Sequence, residues 1–308
     1  MISLKKMSRE AFEVDGREYL GLIERSIERI ESEKIDAGNL AIEGKLVKVA
    51  SIGETLIVSD LHGDLKSLSY ILKSSRFIEK ALKIKKIMLI LLGDYGDRGA
   101  YSPEVYYMVL TLKELFPRNI LLMRGNHEGP DDLLAHPHDL PQSFRAKFGN
   151  EGLEVYSKIR DFFPELYNIL VVNNLYVLIH GGVPSMASTI DDLRYAHLKH
   201  PKEKHLEEML WSDPSEGIHG VRSSPRGAGR LFGADVTESF LEMLNVKFLI
   251  RGHEPSEKGF KMNHNDKILT LFSRKGSPYF NSSGAYLHLP NSMKPKNIYE
   301  LLQNIHQF

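Results

Sequence analysis

The 308-residue sequence has no cysteine. Disulfides, thiolate zinc sites and a cysteine nucleophile are therefore excluded, and with the last goes every phosphatase that works through a phosphocysteine. An excess of either charge is also missing. Lys plus Arg number 40 and Asp plus Glu number 40, which argues against a general nucleic-acid binder, since those carry a basic excess. No apolar run approaches the roughly 18 residues needed to span a bilayer, and the first residues, MISLKKMSREAFEVDG, lack the apolar core of a signal peptide. A cytoplasmic protein with neither a membrane nor a nucleic acid as partner is the expectation.

What is present is ordinary for a globular chain: 42% hydrophobic and 26% charged residues. No internal repeat, low-complexity tract or linker stands out. The length suits one large domain or two small ones. The economical division is a helical lead-in over residues 1–48 packed on a single domain over 49–308.

The informative stretch is Leu89–Gly99, LILLGDYGDRG. An apolar run of this kind reads as a strand buried on both faces. It stops at Gly93 in a polar loop with Asp94, Asp97 and Arg98. Charged groups at the tip of a buried strand are costly unless paired or bound. The pattern recurs. ETLIVSDLHGD ends in Asp60, His62 and Asp64; NILLMRGNHE in Arg124, Asn126, His127 and Glu128; LYVLIHGG in His180; VKFLIRGHE in Arg251, His253 and Glu254. Ligands of open sheets sit at the carboxyl ends of strands, so the five tips are expected to form one site.

Around these tips, strands at Leu56–Ser59, Ile87–Leu92 and Ile120–Met123 alternate with helices at Leu65–Lys73 and Ser102–Phe116, the latter capped by Ser102 with Pro103 next. This βαβαβ order predicts parallel strands. Helical spacing covers Glu18–Lys34, and Ala41–Val49 suits an edge strand. Further helices are expected at Ile190–Tyr195, Thr237–Leu244 and Asn297–His306, and strands at Val246–Ile250, Ile268–Phe272 and Ala285–Leu289. Residues 216–230, rich in Gly, Ser and Arg, read as a loop. The polar cluster Asp131, Asp132, His136, His138 and Asp139 flanks Pro137 without helical or strand spacing and reads as a solvated loop rather than a second metal site.

Asp60, His62, Asp94, Asn126, His180 and His253 make a nitrogen and oxygen donor set without sulfur. That set suits manganese, iron or zinc better than calcium. It is too large for one tetrahedral ion and divides over two if one carboxylate bridges. Two such ions about 3.5–4 Å apart activate water and clamp a phosphoryl oxygen. Each piece alone is weak, because Arg124 and Arg251 could be salt-bridge partners and Arg98 a surface charge. The joint occurrence after five buried strands carries the signal. Four of the thirteen histidines sit in these motifs, and the other nine follow no such pattern.

Ser59-Asp60-Leu61-His62-Gly63, Gly93–Gly99, Gly125-Asn126-His127-Glu128, His180-Gly181-Gly182 and Arg251-Gly252-His253-Glu254 together resemble the phosphoprotein phosphatases, metal-dependent serine/threonine phosphatases of the calcineurin-like metallophosphoesterases. Leu210–Pro214, Arg226-Gly227 and Phe232–Val236 extend the resemblance, which runs from about Leu56 to Leu289. It implies an α+β fold of four layers, α/β/β/α, with two mixed sheets. It implies that Asp60 and His62 hold a first divalent ion, manganese foremost, that Asp94 bridges, and that Asn126, His180 and His253 hold a second. Arg98 and Arg226 would bind the phosphate. His127 would protonate the departing Ser or Thr oxygen, with Asp97 orienting it. The implied reaction is direct attack of a water activated between the ions on phosphoprotein substrates.

Departures from the family are Gly96 in place of Val, Gly129-Pro130-Asp131 after Glu128, and a loop from Ser273 to Tyr279, in which Arg274 and Lys275 read as solvated and Tyr279 as a loose match for a family tyrosine over the site. Two other readings compete: a dinucleoside polyphosphate hydrolase or broad phosphoesterase, which Trp211–Pro214 and Arg226–Val236 argue against, and an inactive phosphoprotein-binding scaffold, which would have lost a ligand.

Overall fold

In the computed structural model of the chain, which describes residues 3–33, 40–50, 53–83, 87–290 and 293–308, the strands are β1 (Leu40–Glu43), β2 (Leu46–Val49), β3 (Glu54–Val58), β4 (Ile87–Leu91), β5 (Ile120–Leu122), β6 (Ile169–Val172), β7 (Tyr176–Ile179), β8 (Asp213–Pro214), β9 (Val221–Ser223), β10 (Arg230–Phe232), β11 (Phe248–Arg251), β12 (Phe260–Asn263), β13 (Ile268–Leu271), β14 (Ala285–Leu289) and β15 (Ile305–Gln307). The helices are α1 (Leu4–Glu13), α2 (Gly16–Ser32), α3 (Leu65–Ser74), α4 (Phe77–Lys83), α5 (Ser102–Leu115), α6 (Leu140–Phe148), α7 (Gly152–Phe162), α8 (Ile190–Arg194), α9 (Ala196–Lys199), α10 (His205–Trp211), α11 (Ala234–Met243) and α12 (Ile298–Leu302).

Two mixed sheets carry the molecule. One runs β1-β2-β6-β7-β11-β13-β12 and the other β15-β14-β3-β4-β5, and a small third sheet joins β8, β10 and β9. As the βαβαβ order predicts, β3, β4 and β5 pair in parallel. Side chains of a strand alternate between faces, and in the larger sheet the two faces feed different cores. Leu170, Val172 and Leu178 join the core with Leu56 and Ile90 of the other sheet, while Ile169, Val171 and Val177 join Leu193, Met209 and Phe240 of the outer helices. A strand buried on both faces reads as an unbroken apolar run, which is why the tips were visible in the sequence. Burial of each such aliphatic side chain is worth about 1.5–3 kcal/mol. The expected α+β layering of two mixed sheets flanked by helices is what forms.

Several local expectations need correction. Tyr101, not Ser102, holds the cap position of α5 and makes no side-chain cap bond; the Ser102 hydroxyl donates to Gly99 O at 3.3 Å. The chain end is not one helix. Asn297 caps a short α12, and residues 305–307 then pair with β14 as an added strand. Ala41–Val49 is a hairpin, β1 to β2, with β1 at the sheet edge. Residues 216–230 contain β9, and α4 had no counterpart in the sequence reading. The expected helix over Glu18–Lys34 forms as α2, and its last residue, Lys34, lies outside the described residues.

Candidate active site

Three strand tips of the smaller main sheet meet two of the larger. β3 leads to Asp60 and His62, β4 to Asp94, Asp97 and Arg98, β5 to Asn126 and His127, β7 to His180, and β11 to His253. The backbone turns sharply to present them. His62 (φ 43°), Asp94 (56°), Asp97 (63°), Arg98 (66°) and His253 (71°) all stand in the left-handed region. Non-glycine residues held in such sparsely populated regions cost ~1–3 kcal/mol each, and they persist only where the surrounding structure over-determines them. Gly93 has φ 105°, and a Cβ there would collide with Gly125 N. The two loops approach so closely that neither tolerates a side chain.

Asp94 is the hub. Its carboxylate lies 3.5 Å from His62 Nε2 and 3.3 Å from His180 Nε2, and it accepts from His127 N at 3.0 Å. Asp60 lies 3.8 Å from His62 Nε2 and accepts from His253 N at 3.0 Å. The Asn126 amide oxygen sits 3.0 Å from His180 Nε2 and 2.9 Å from His253 Nδ1. All six side chains are buried. The far nitrogens of two imidazoles are fixed by carbonyls, His62 Nδ1 by Gly96 O at 3.0 Å and His180 Nδ1 by Leu92 O at 2.9 Å. Such outer contacts aim the inner nitrogen of a metal-ligating histidine.

The charges fit a cation better than an empty core. Burial, with lesser help from neighbouring cations, pushes the His62 and His253 imidazoles well below their ordinary value, so each offers a lone pair. Burial pushes the Asp60 carboxyl up, and the nearby Asp94 charge adds to it. Burial acts the same way on Asp94, but His180 and His127 outweigh it and hold that carboxyl well below its usual range. Burial would lower His180, yet Asp94 and Asp60 push it up to about 9. The Asn126 oxygen also faces both Asp94 oxygens, at 3.2 and 3.0 Å, with no proton between them. A cation removes that conflict; without one, the amide turned over would donate to the same atoms. Two sets of donors, His62–Asp94–His127 and Asp94–His180–His253, each gather within 4.8 Å and share Asp94; the first holds His127 where the sequence expects Asp60, which stands 3.8 Å from His62 Nε2. The residues present therefore fit a pair of divalent ions.

Around this core the remaining predicted residues fall into place unequally. His127 Nδ1 lies 2.7 Å from Asp97 Oδ2, and His127 Nε2 is buried without a partner. The Arg98 guanidinium donates to Tyr279 Oη at 2.6 Å. Arg226 is exposed, and its Nε donates to Asp213 at 2.5 Å. Asp213 also takes a 2.9 Å bond from Arg251, which is wholly buried and reaches Glu254 and Gly181 O as well. The salt-bridge reading of Arg251 is thus correct. For Arg124 it is not: its Nε donates to the backbone Glu128 O at 2.7 Å, and no carboxylate of the described residues pairs with it.

Four residues take parts that the sequence reading did not assign to them. Glu128, fully buried, accepts from Asp94 N, Tyr95 N, Gly125 N and Tyr106 Oη, stitching two tips together. Asp139 accepts from Arg98 N at 3.0 Å. His138 lies 2.9 Å from Asp97. The expected solvated loop over 131–139 is therefore split: Asp131 and Asp132 are exposed and pair with Arg160 and His200, while His138 and Asp139 turn inward. Arg274, expected in solvent, is 6% exposed and donates to His62 O and Ser277 O. Tyr279 tilts over His62 at 5.3 Å between ring centroids. Glu128 stands in its strand-tip motif and Tyr279 is the loose family match; for His138, Asp139 and Arg274 the only cue is their polarity inside loops rich in turn residues.

Buried imidazoles and carboxylates at the carboxyl tips of two mixed sheets define a metallophosphoesterase site. The calcineurin-like phosphoesterase family pattern matches residues 54–257, and the chain belongs to that family. Over 259 residues it is 34% identical to the "Probable serine/threonine-protein phosphatase" of Encephalitozoon cuniculi, covering 83% of this chain and 54% of that one. Over 233 residues it is 32% identical to the serine/threonine-protein phosphatase 4 catalytic subunit of Saccharomyces cerevisiae, covering 75% and 71%. This chain thus spans about half the length of the first relative. The solved structure of another Saccharomyces cerevisiae protein serine/threonine phosphatase aligns with TM-score 0.78 at 22% identity, covering 100% of this chain and 96% of that one, a likeness of fold. No helix of the described residues is long and apolar enough to cross a membrane.

Proposed function

We propose that this chain hydrolyses phosphoserine and phosphothreonine in proteins, using two divalent cations, in the cytoplasm, with residues 1–48 packed on a single catalytic domain. Asp60 and His62 would hold one ion, Asn126, His180 and His253 the other, and Asp94 both. Manganese is the first candidate, with iron or zinc next, because the donors are nitrogen and oxygen without sulfur. Bound there, such ions lower the pKa of water and offset charge on a phosphoryl oxygen.

The remaining work falls to the chain itself. Arg98 and Arg226 present planar guanidinium forks that match phosphate oxygens. Tyr279 aims the first and Asp213 the second. The serine or threonine oxygen leaves poorly unless it gains a proton. His127 delivers one from Nε2 while Asp97 holds its Nδ1, a contribution of about 10²–10⁴ in rate. One observation carries this reading: His127 is gripped on one nitrogen and presents the other, buried and unpartnered, beside the ligand cluster.

The relatives named above support a protein substrate over a dinucleoside polyphosphate. The test is the purified chain with manganese against phosphoserine and phosphothreonine peptides, with a chelator as control. Turnover that the chelator stops is expected. Strong hydrolysis of diadenosine tetraphosphate with none of the peptides would replace this reading.

A further inference from the structure

We propose that His138, backed by Tyr156, is a positioning residue that holds Asp97, and through it His127, in line for proton delivery. The inference rests on the reading of His127 given above. An ionised carboxylate offers about four acceptor positions, and Asp97 uses them all. Its Oδ1 accepts from the backbone N–H groups of Asp139 at 2.8 Å and Leu140 at 2.9 Å. Its Oδ2 faces two imidazoles, His127 Nδ1 at 2.7 Å and His138 Nδ1 at 2.9 Å. Burial alone would raise this carboxyl; the bonds from the two imidazoles hold it below its usual range instead. It stays an anion, able to accept from both.

The far side of His138 is fixed as well. Its Nε2 lies 2.7 Å from Tyr156 Oη in α7. With Nδ1–H donating to Asp97, Nε2 accepts the tyrosine proton, so this bond selects the tautomer that Asp97 needs. The terminal torsion of an aspartate is broad and weakly held by its own rotamer preference. Asp97 sits on a left-handed backbone turn at φ 63°, and nothing in that turn fixes the carboxylate plane. The two amides and the second imidazole do so. A misplacement of about 1 Å at a reacting group costs up to about 10² in rate, so slack in Asp97 is transmitted to His127 Nε2.

The step concerned breaks the bond between phosphorus and the serine oxygen. The oxygen leaves with the electron pair and takes the proton from His127 Nε2, while the water oxygen bonds to phosphorus and its two hydrogens stay with the product phosphate, one of them then passing to His127 and restoring its proton. A 2,4-dinitrophenolate leaves without a proton. That difference separates positioning from general damage. For His138→Ala we expect kcat on a phosphoserine peptide to fall about tenfold, with KM unchanged and less than about a twofold fall on 2,4-dinitrophenyl phosphate. His138→Asn, whose Nδ2–H stands where the imidazole Nδ1–H does, should recover most of the loss. Tyr156→Phe should lose about two- to threefold with the same selectivity. Equal losses on both substrates, or no loss on the peptide in any variant, would overturn the proposal. His127→Ala is the control. If it too lowers both substrates equally, the proton-delivery reading fails and takes this inference with it. If it is selective and the His138 variants are not, only the inference fails.

Discussion

The site has an inner ring and an outer ring, and they are built differently. The inner ring comprises Asp60, His62, Asp94, Asn126, His180 and His253, each one to four residues beyond the end of a buried strand. The outer ring comprises Arg98 with Tyr279, Arg226 with Asp213, and Asp97 with His138. Its pairs are separated by 181, 13 and 41 residues; apart from Asp213, in the two-residue β8, their members sit in loops. A strand tip placed by a sheet on each side cannot drift. A loop residue stays only as long as its particular hydrogen bonds do. The inner ring should therefore fail all at once when a ligand is removed, and the outer ring by graded amounts.

The largest effect should come from the hub. Asp94→Ala should lower kcat/KM on phosphopeptide by at least about 10³-fold, since groups that act as a unit are lost together, and metal content measured on the purified chain should fall with it. Retained metal at full occupancy would break the contrast. His127→Ala comes next, with a fall in kcat of about 10²–10⁴ while metal stays bound. Arg226→Ala removes a charge-assisted contact of about 1.5–3 kcal/mol, and should appear mainly as a rise in KM of about ten- to a hundredfold. Asp213→Asn should reproduce part of it by releasing the Arg226 fork. Tyr279→Phe deletes one hydrogen bond to Arg98, about 0.5–1.5 kcal/mol, so KM should rise about two- to tenfold. An effect of Tyr279→Phe as large as that of Asp94→Ala would erase the distinction between the rings.

The smallest effect lies away from both. Burial, then Lys45 and Arg124, pushes His197 down from 6.5 to about 4. The unfolded chain therefore binds the extra proton first. The contribution to stability is complete above pH 6.5 and is lost as the pH falls toward about 4. Urea midpoints measured across that window should decline toward acid, and His197→Asn should flatten the decline slightly. A slope unchanged by the substitution would contradict the assignment.

The same two rings explain what the sequence disclosed. Ligand types following apolar runs are local patterns, so a reader sees Asp60, Asp94 and His180 without knowing where the strands go. Parallel pairing of β3, β4 and β5 followed from the alternation of strands and helices. His138 was read as part of a solvated loop because nothing beside it in the chain announces Asp97, 41 residues away. Arg274 was read as solvated because its partner carbonyl, on His62, is 212 residues distant. Residues 305 and 306 were read as the end of a helix because their strand character comes from β14, a pairing that no local preference reveals. Local grammar reached the chemistry; long-range hydrogen bonds decided what surrounds it.

The central claim is that the six inner side chains hold two cations with Asp94 between them. An anomalous difference map from crystals grown with manganese tests it most directly. The account predicts two peaks about 3.5–4 Å apart, flanking the Asp94 carboxylate. No peak among those side chains, or peaks elsewhere on the chain alone, would contradict it.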